Sequence, residues 1–262
     1  MRKICVINQK GGVAKTTTSL NLAAGLARAD RKVLLMDLDP HSNIELSIKL
    51  ENSYTACDYL FEGVILSECL NKAGKNFDVV RGDERLLFAE NELNNQDYAA
   101  KIRVKLDKIT GYDYIIFDCG PNISVLNKFF LLFSSEVIIP VSTDYLGYES
   151  LIKMVHFIKE FEDYNEHILR VSKIVPTLYD KRNKICNTIL EKMQNNFYGS
   201  ISAPIRVNSK LKEAPMNKKS IFSYAKNSSG AVDYNALVQG VLMDESKYLE
   251  KSPLAEVSES EQ

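Results

Sequence analysis

Ile4-Cys-Val-Ile-Asn-Gln-Lys-Gly-Gly-Val-Ala-Lys-Thr-Thr-Thr-Ser-Leu-Asn-Leu22 opens on four apolar residues, turns through two glycines and continues into a helix-forming run. A strand, a Gly-containing turn and a helix in one stretch form the context that a phosphate-cradling loop requires. Gly11 and Gly12 let the backbone curl until successive N–H groups face one anion, and a helix starting near Lys15 adds the positive end of its dipole. Lys15 supplies a point charge to the β- and γ-phosphates of ATP, and the Thr16 hydroxyl suits Mg²⁺. Gly11, Gly12, Val13, Ala14, Lys15, Thr16 and Thr17 are therefore the candidate nucleotide-binding residues. A tight strand-to-helix connection with no ligand is the competing reading, because Gln9 and Ala14 occupy both glycine positions of the strict G-x-x-x-x-G-K-[ST] spacing. Ala14 fits only if it takes an ordinary negative φ at the helix start.

Apolar runs of strand length recur at 33–36, 114–117, 137–141 and 171–175, most of them separated by helical patterns. Such runs predict an α/β fold with a predominantly parallel twisted sheet flanked by helices on both faces. Leu151, Met154, Val155, Ile158 and Phe161 follow the 3.6-residue repeat and predict a helix with a core-facing stripe. Residues 77–80 read as a strand and 99–109 as a helix, both as sheet-edge elements.

At 262 residues the chain can bury one sizeable core, and the reading is a single domain over 1–250 with an acidic, Ser-rich, disordered tail over 251–262. Residues 244–262 hold six acids against Lys247 and Lys251, leaving the rest of the chain about +3. The five cysteines lie far apart with no C-x-x-C pair, which argues against a zinc site or a disulfide framework and suits a cytoplasmic protein. No apolar run approaches the ~18 residues of a membrane span, and no signal-peptide layout precedes the first strand.

Two carboxylate motifs follow the loop. Val33-Leu-Leu-Met-Asp37-Leu-Asp39-Pro-His41 is a buried strand releasing two acids at its C-terminal end, where ligands bind in open α/β sheets. Tyr114-Ile-Ile-Phe-Asp118-Cys-Gly-Pro121 is a second strand ending in one acid, placed in the order expected of a Walker B element. His41 reads as a solvent-facing turn histidine. Cys119 reads as ordinary packing.

At Lys10-Gly-Gly-Val-Ala-Lys15-Thr-Thr17, with a second lysine ahead of the glycines, the chain resembles the deviant Walker A loop of ParA- and MinD-type P-loop ATPases, and the similarity continues across most of its length. The resemblance implies a homodimer formed with ATP, in which Lys10 reaches the partner's phosphates as an in-trans catalytic cation beside Lys15. It implies that Asp39 orients the attacking water, and that Asp37 and Asp118 join Thr16 around Mg²⁺. Gly120 stands where the family more often has Pro, which predicts a looser loop. Asp144 reads as the cap of the next helix or as a contact to the partner subunit.

Ten basic residues between Lys181 and Lys226 face only Glu191 and Glu213. A surplus of this kind suits sequence-independent contact with the phosphates of double-stranded DNA, or else is a solvated helix face. The resemblance favours DNA: Lys181, Arg182, Lys184, Arg206, Lys210 and Lys212 are the candidate contacts, and Lys210-Leu-Lys-Glu-Ala-Pro215 looks like the family's R-L-S-E-A-P segment. It implies a nucleoid-associated partition ATPase stimulated by a ParB-like centromere-binding protein. Positioning of a non-DNA cargo is the alternative. The Glu-rich end offers no basic amphipathic helix for a membrane.

Overall fold

The structure, a computed structural model, describes residues 1–245 except the side chains of residues 90 and 91. The tail read at 251–262 and the domain end read at 250 lie outside the described residues. Seven strands, β1 (Arg2–Val6), β2 (Val33–Leu38), β3 (Asn71–Gly74), β4 (Phe77–Val80), β5 (Tyr114–Cys119), β6 (Glu136–Ser142) and β7 (Arg170–Thr177), form one sheet in the order β3-β4-β2-β5-β1-β6-β7. β3 pairs antiparallel with β4 and every other pairing is parallel. Between and after the strands run α1 (Lys15–Arg28), α2 (Asn43–Ser47), α3 (Ala56–Phe61), α4 (Leu66–Cys69), α5 (Ala89–Leu93), α6 (Gln96–Asp107), α7 (Val125–Phe133), α8 (Tyr145–Asn165), α9 (Lys184–Asn196), α10 (Ser209–Met216), α11 (Ile221–Tyr224) and α12 (Ser229–Met243).

β2, β5 and β6 are buried at every position, so their sequences are continuous apolar runs rather than alternations. One face of the sheet packs Cys5, Ile7, Met36 and Phe117 against Leu60, Ile102, Phe130 and Met154. The other packs Ile4, Val6, Leu35 and Ile116 against Leu22, Leu26, Phe222 and Leu237. A Cβ at Gly25 would collide with Val238 Cγ2, so glycine there permits the close approach of α1 to α12. α6 starts three residues before the sequence reading because Asn95 accepts from the backbone N–H groups of Asp97 and Tyr98. No helix among the described residues is long and apolar enough to cross a membrane.

At the N-terminal edge of the strands, Glu136, 1% exposed, receives Arg2 at 2.7 Å and Arg170 at 2.8 Å. Arg2 also donates to the Val241 carbonyl at 2.6 Å, which ties α12 to the sheet. Burial pushes the Glu136 carboxyl up, but the two guanidinium groups outweigh it and hold the group below its ordinary range. A depressed acid contributes stability that is complete above its unfolded pKa of about 4.3 and drains away as pH falls through the folded value. Glu136→Gln is therefore expected to cost about 3–5 kcal/mol near neutral pH, because it takes the carboxylate away from the buried Arg2 guanidinium. Denaturant melts should show the gap to wild type narrowing below pH 4, and a gap independent of pH would contradict the pairing.

Candidate nucleotide site and basic surface

The phosphate loop crosses the C-terminal edge of β1 and enters α1 at Lys15. Its anchors are the Thr177 side chain from β7 and the Asn8 side chain at its own start. Thr177 donates to the Val13 carbonyl at 3.0 Å, and Asn8 accepts from the Lys10 amide at 3.0 Å while donating to the Pro140 carbonyl at 2.7 Å. Gly12 lies at φ +73° and Gly11 is exposed with open space around it, so the curl read from the sequence is present.

Ala14 departs from expectation. Its φ is +66°, in the left-handed region, rather than the ordinary negative value. The turn needs that conformation to swing from Gly12 into α1, and the Ala14 carbonyl accepts from Thr18 N–H at 2.9 Å to begin the helix. Holding an alanine there costs about 1–2 kcal/mol. Ala14→Gly is accordingly expected to raise stability by up to about 1 kcal/mol without loss of nucleotide affinity. A drop in melting temperature would show that the methyl group is needed for packing.

Lys15 is 8% exposed, and its Nζ donates to the Lys10 carbonyl at 3.2 Å. Burial lowers its pKa, while Asp118 and Asp39 oppose that shift. Asp37 and Asp118 are register neighbours on β2 and β5, both fully buried. Burial pushes Asp118 up to about 6, against the hydrogen bonds of the Ser19 and Thr16 hydroxyls, and Ser19 Oγ lies 2.7 Å from Asp118 Oδ1. Burial and the neighbouring Asp118 push Asp37 up as well.

Two buried carboxylates crowded together call for positive charge, and Asp118 Oδ2 is buried with no hydrogen-bond partner among the described residues. Thr16, Asp37 and Asp118 thus suit a divalent cation. Among the described residues no group of three or more His, Cys, Asp or Glu is arranged to hold a metal unaided, so the donor set needs the Thr16 hydroxyl and ligand oxygens.

Asp39 is 5% exposed, and its Oδ1 receives His41 twice, from the backbone N–H at 3.0 Å and from Nδ1 at 2.9 Å. The His41 ring is 74% exposed, as read from the sequence, but it is also a partner of the water-orienting candidate. Gly11, Gly12, Ala14, Lys15, Thr16, Thr17, Asp39, His41 and Pro121 line a cleft of about 470 Å³. Lys10 turns away from it: its Nζ contacts Asp144 at 2.8 Å and Ser142 Oγ at 2.9 Å. Asp144 also caps α8 by accepting from Gly147 N–H at 2.7 Å, so the cap reading holds and the residue has a second use.

The loop after Asp118 is stapled rather than loose, since Asn127 Nδ2 donates to the carbonyls of Gly120, at 3.2 Å, and Asn122, at 2.5 Å. Cys119 is buried packing. A larger cleft, about 980 Å³, lies at the far end of α1 between Arg28, Ile48, Phe77 and Lys219, away from the phosphate loop and the Asp37–Asp39–Asp118 cluster.

A family model described as an AAA domain matches residues 1–171. Over 243 residues the chain is 35% identical to the chromosome partitioning protein ParA of Myxococcus xanthus, spanning 90% of this chain and 86% of that protein. The chain belongs to the ParA/Soj family of partition ATPases. It is also 31% identical to the sporulation initiation inhibitor protein Soj of Bacillus subtilis, over 91% of this chain and 97% of that protein. Among solved structures it is similar to cobyrinic acid a,c-diamide synthase of Mycobacterium smegmatis with bound ADP and magnesium, at a TM-score of 0.77 and 25% identity, covering 93% and 95% of the two chains. Sequence kinship is higher to the partition proteins than to that synthetase.

In this ParA/Soj chain the six basic candidates divide by partner. Arg182 pairs with Asp180 at 2.8 Å, Arg206 clasps the buried Asp233, and Lys210 pairs with Glu213 at 2.7 Å. Lys181, Lys184 and Lys212 are exposed and have no acidic partner among the described residues. The bridge between Tyr179 and Arg206 sets the 181–184 turn beside the segment leading into α10. Sequence reasoning missed Asn8, Ser19, Ser142 and Thr177. Asn8, Ser142 and Thr177 are small polar residues at the ends of apolar strand runs, and that is the signal which marks them, whereas Ser19 follows three threonines and carries no such mark.

Proposed function

We propose that this ParA/Soj chain is an ATP-dependent dimerising switch that binds double-stranded DNA without reading sequence, and that a ParB-like centromere-binding protein prompts the hydrolysis that releases it. Plasmid or chromosome partition follows from that cycle. The observation that carries the reading is a cleft lined by Lys15, Thr16 and Asp39, with the buried Asp118 carboxylate hydrogen-bonded to the Thr16 hydroxyl and a second lysine held a few residues away.

Backbone N–H groups of residues 11–16 and the Lys15 ammonium grip the triphosphate of ATP. Mg²⁺, when bound by Thr16 with Asp37 and Asp118, neutralises charge on the phosphate oxygens. Asp39, steadied by His41, aligns a water for attack on the γ-phosphate. Lys10 is the in-trans cation of this reading, and Asp144 holds it within its own subunit until a partner's phosphates compete for it. Leaving Asp144 for a polyphosphate exchanges one charge-assisted hydrogen bond for another, so the move is inexpensive.

Lys181, Lys184 and Lys212 bind the DNA backbone in this reading, because phosphates need not displace an acid from them. Binding to nonspecific duplex without nucleotide, with ADP and with ATP, each at two salt concentrations, tests the switch. Binding is expected with ATP alone and should weaken steeply with salt. Lys181→Ala with Lys184→Ala and Lys212→Ala should lower the slope of log affinity on log salt by about 0.9 for each phosphate that is no longer neutralised, sparing ATP uptake. Equal binding in all three nucleotide states would contradict the proposal.

A further inference from the structure

Four hydroxyl residues in a row, Thr16-Thr17-Thr18-Ser19, lie in the first turns of α1, and the fold divides them. Thr16 and Thr17 line the phosphate cleft. Thr18 Oγ1 lies 3.2 Å from the Tyr234 hydroxyl on α12. Ser19 is fully buried, and its Oγ donates to Asp118 Oδ1 at 2.7 Å. The Lys15 carbonyl, 3.1 Å from the same Oγ, is the weaker claimant on the single Ser19 proton, because the carboxylate is both charged and closer.

The two buried carboxylates beside the phosphate loop are fixed by different means. Asp37 Oδ1 accepts the backbone N–H of Asp39 at 3.0 Å and its Oδ2 accepts that of Ile44 at 3.3 Å, so main chain holds it. Asp118 is held by hydroxyls, those of Ser19 and Thr16, which stand three residues apart on one face of α1. A hydroxyl has one proton and two lone pairs. When Thr16 gives its proton to Asp118, its lone pairs are left for the cleft, where they suit a hard cation. Asp118 thus sets the rotation of the Thr16 hydroxyl, and Ser19 sets Asp118.

We propose that Ser19 is a positioning residue for the magnesium of this site: by holding Asp118 Oδ1 it keeps the carboxylate turned to the Thr16 hydroxyl, and keeps the oxygen of that hydroxyl aimed at the cation. The inference rests on the reading of the cleft as a site for nucleotide with Mg²⁺. Groups one step behind a metal's own donors commonly change its affinity by about 10–100-fold when they are removed. The competing role is packing alone, since Ser19 is a small buried residue between α1 and β5.

The test is calorimetric titration of ADP into the full chain, without magnesium and across a magnesium series, for wild type, Ser19→Ala and Ser19→Cys. ADP is chosen so that no hydrolysis adds heat. In Ser19→Ala the magnesium concentration giving half of the full tightening should rise about tenfold or more, while ADP uptake without magnesium stays within about twofold of wild type. Cysteine nearly keeps the volume of serine but donates weakly, so Ser19→Cys should fall between the two.

An unchanged magnesium requirement in Ser19→Ala would overturn the proposal and leave the residue to packing. So would an equal loss of ADP uptake with and without magnesium, which would make Ser19 a support of the phosphate loop itself. Should Ser19→Ala fail to fold, Ser19→Cys decides: a raised magnesium requirement supports the proposal and a wild-type requirement overturns it. Wild-type protein that takes up ADP in none of these conditions would defeat the nucleotide reading, and the proposal with it.

Discussion

Asp39→Ala is expected to retain ATP uptake and to lose turnover by ~10²–10⁴-fold, the usual contribution of a positioned proton-accepting group. The carboxylate is nearly buried at the mouth of the phosphate cleft, and His41 holds one of its oxygens from two directions. It makes none of the anchoring bonds of the phosphate loop, whose carbonyls are held by Lys15, Thr177 and Thr18, so its removal should leave the cradle in shape. Asp39→Asn keeps the size and removes the charge, and it should lose nearly as much turnover. Single-turnover hydrolysis beside equilibrium ATP uptake separates the two effects. A parental rate in Asp39→Ala would move the water-orienting role to another group.

Lys15→Ala is expected to remove nucleotide uptake itself. The ammonium is 8% exposed, and its nitrogen pins the loop through the Lys10 carbonyl. Deleting it withdraws positive charge from beside Asp39 and Asp118, in a place where burial already disfavours both charged carboxylates of the Asp37–Asp118 pair. Loss of one partner from a buried charge cluster costs about 3–5 kcal/mol, so the affinity for ATP should fall by at least ~10²-fold. Calorimetry on folded Lys15→Ala gives the answer. Affinity within a factor of three of wild type would show that the backbone alone binds the phosphates.

Much of this site was legible in the sequence because its parts lie on long, strongly patterned elements. Asp37 and Asp118 end buried strands that read as unbroken apolar runs, and both occupy the edge those runs predict. The phosphate loop was legible as a strand, two glycines and a helix. Local backbone conformation was harder to read: Ala14 at φ +66° is imposed by the turn around it and not by alanine's own preference.

Pairings across the sheet were the least legible. Thr177 holding Val13, and Lys10 resting on Asp144, join residues more than 130 positions apart, and no local pattern encodes them. The basic stretch was legible as charge alone. Its division into the paired Arg182, Arg206 and Lys210 and the more open Lys181, Lys184 and Lys212 depends on Asp180 and Glu213, close by in sequence, and on Asp233, which meets Arg206 only in the fold.

Both variants, and the DNA switch built on them, presuppose that the phosphate loop holds a nucleotide together with Mg²⁺. Isothermal titration of ATP and of ADP into the wild-type chain, with and without magnesium, tests that directly. One saturable site per chain is expected, tightened by magnesium and absent in Lys15→Ala. Folded wild-type protein that takes up neither nucleotide in the presence of magnesium would contradict it.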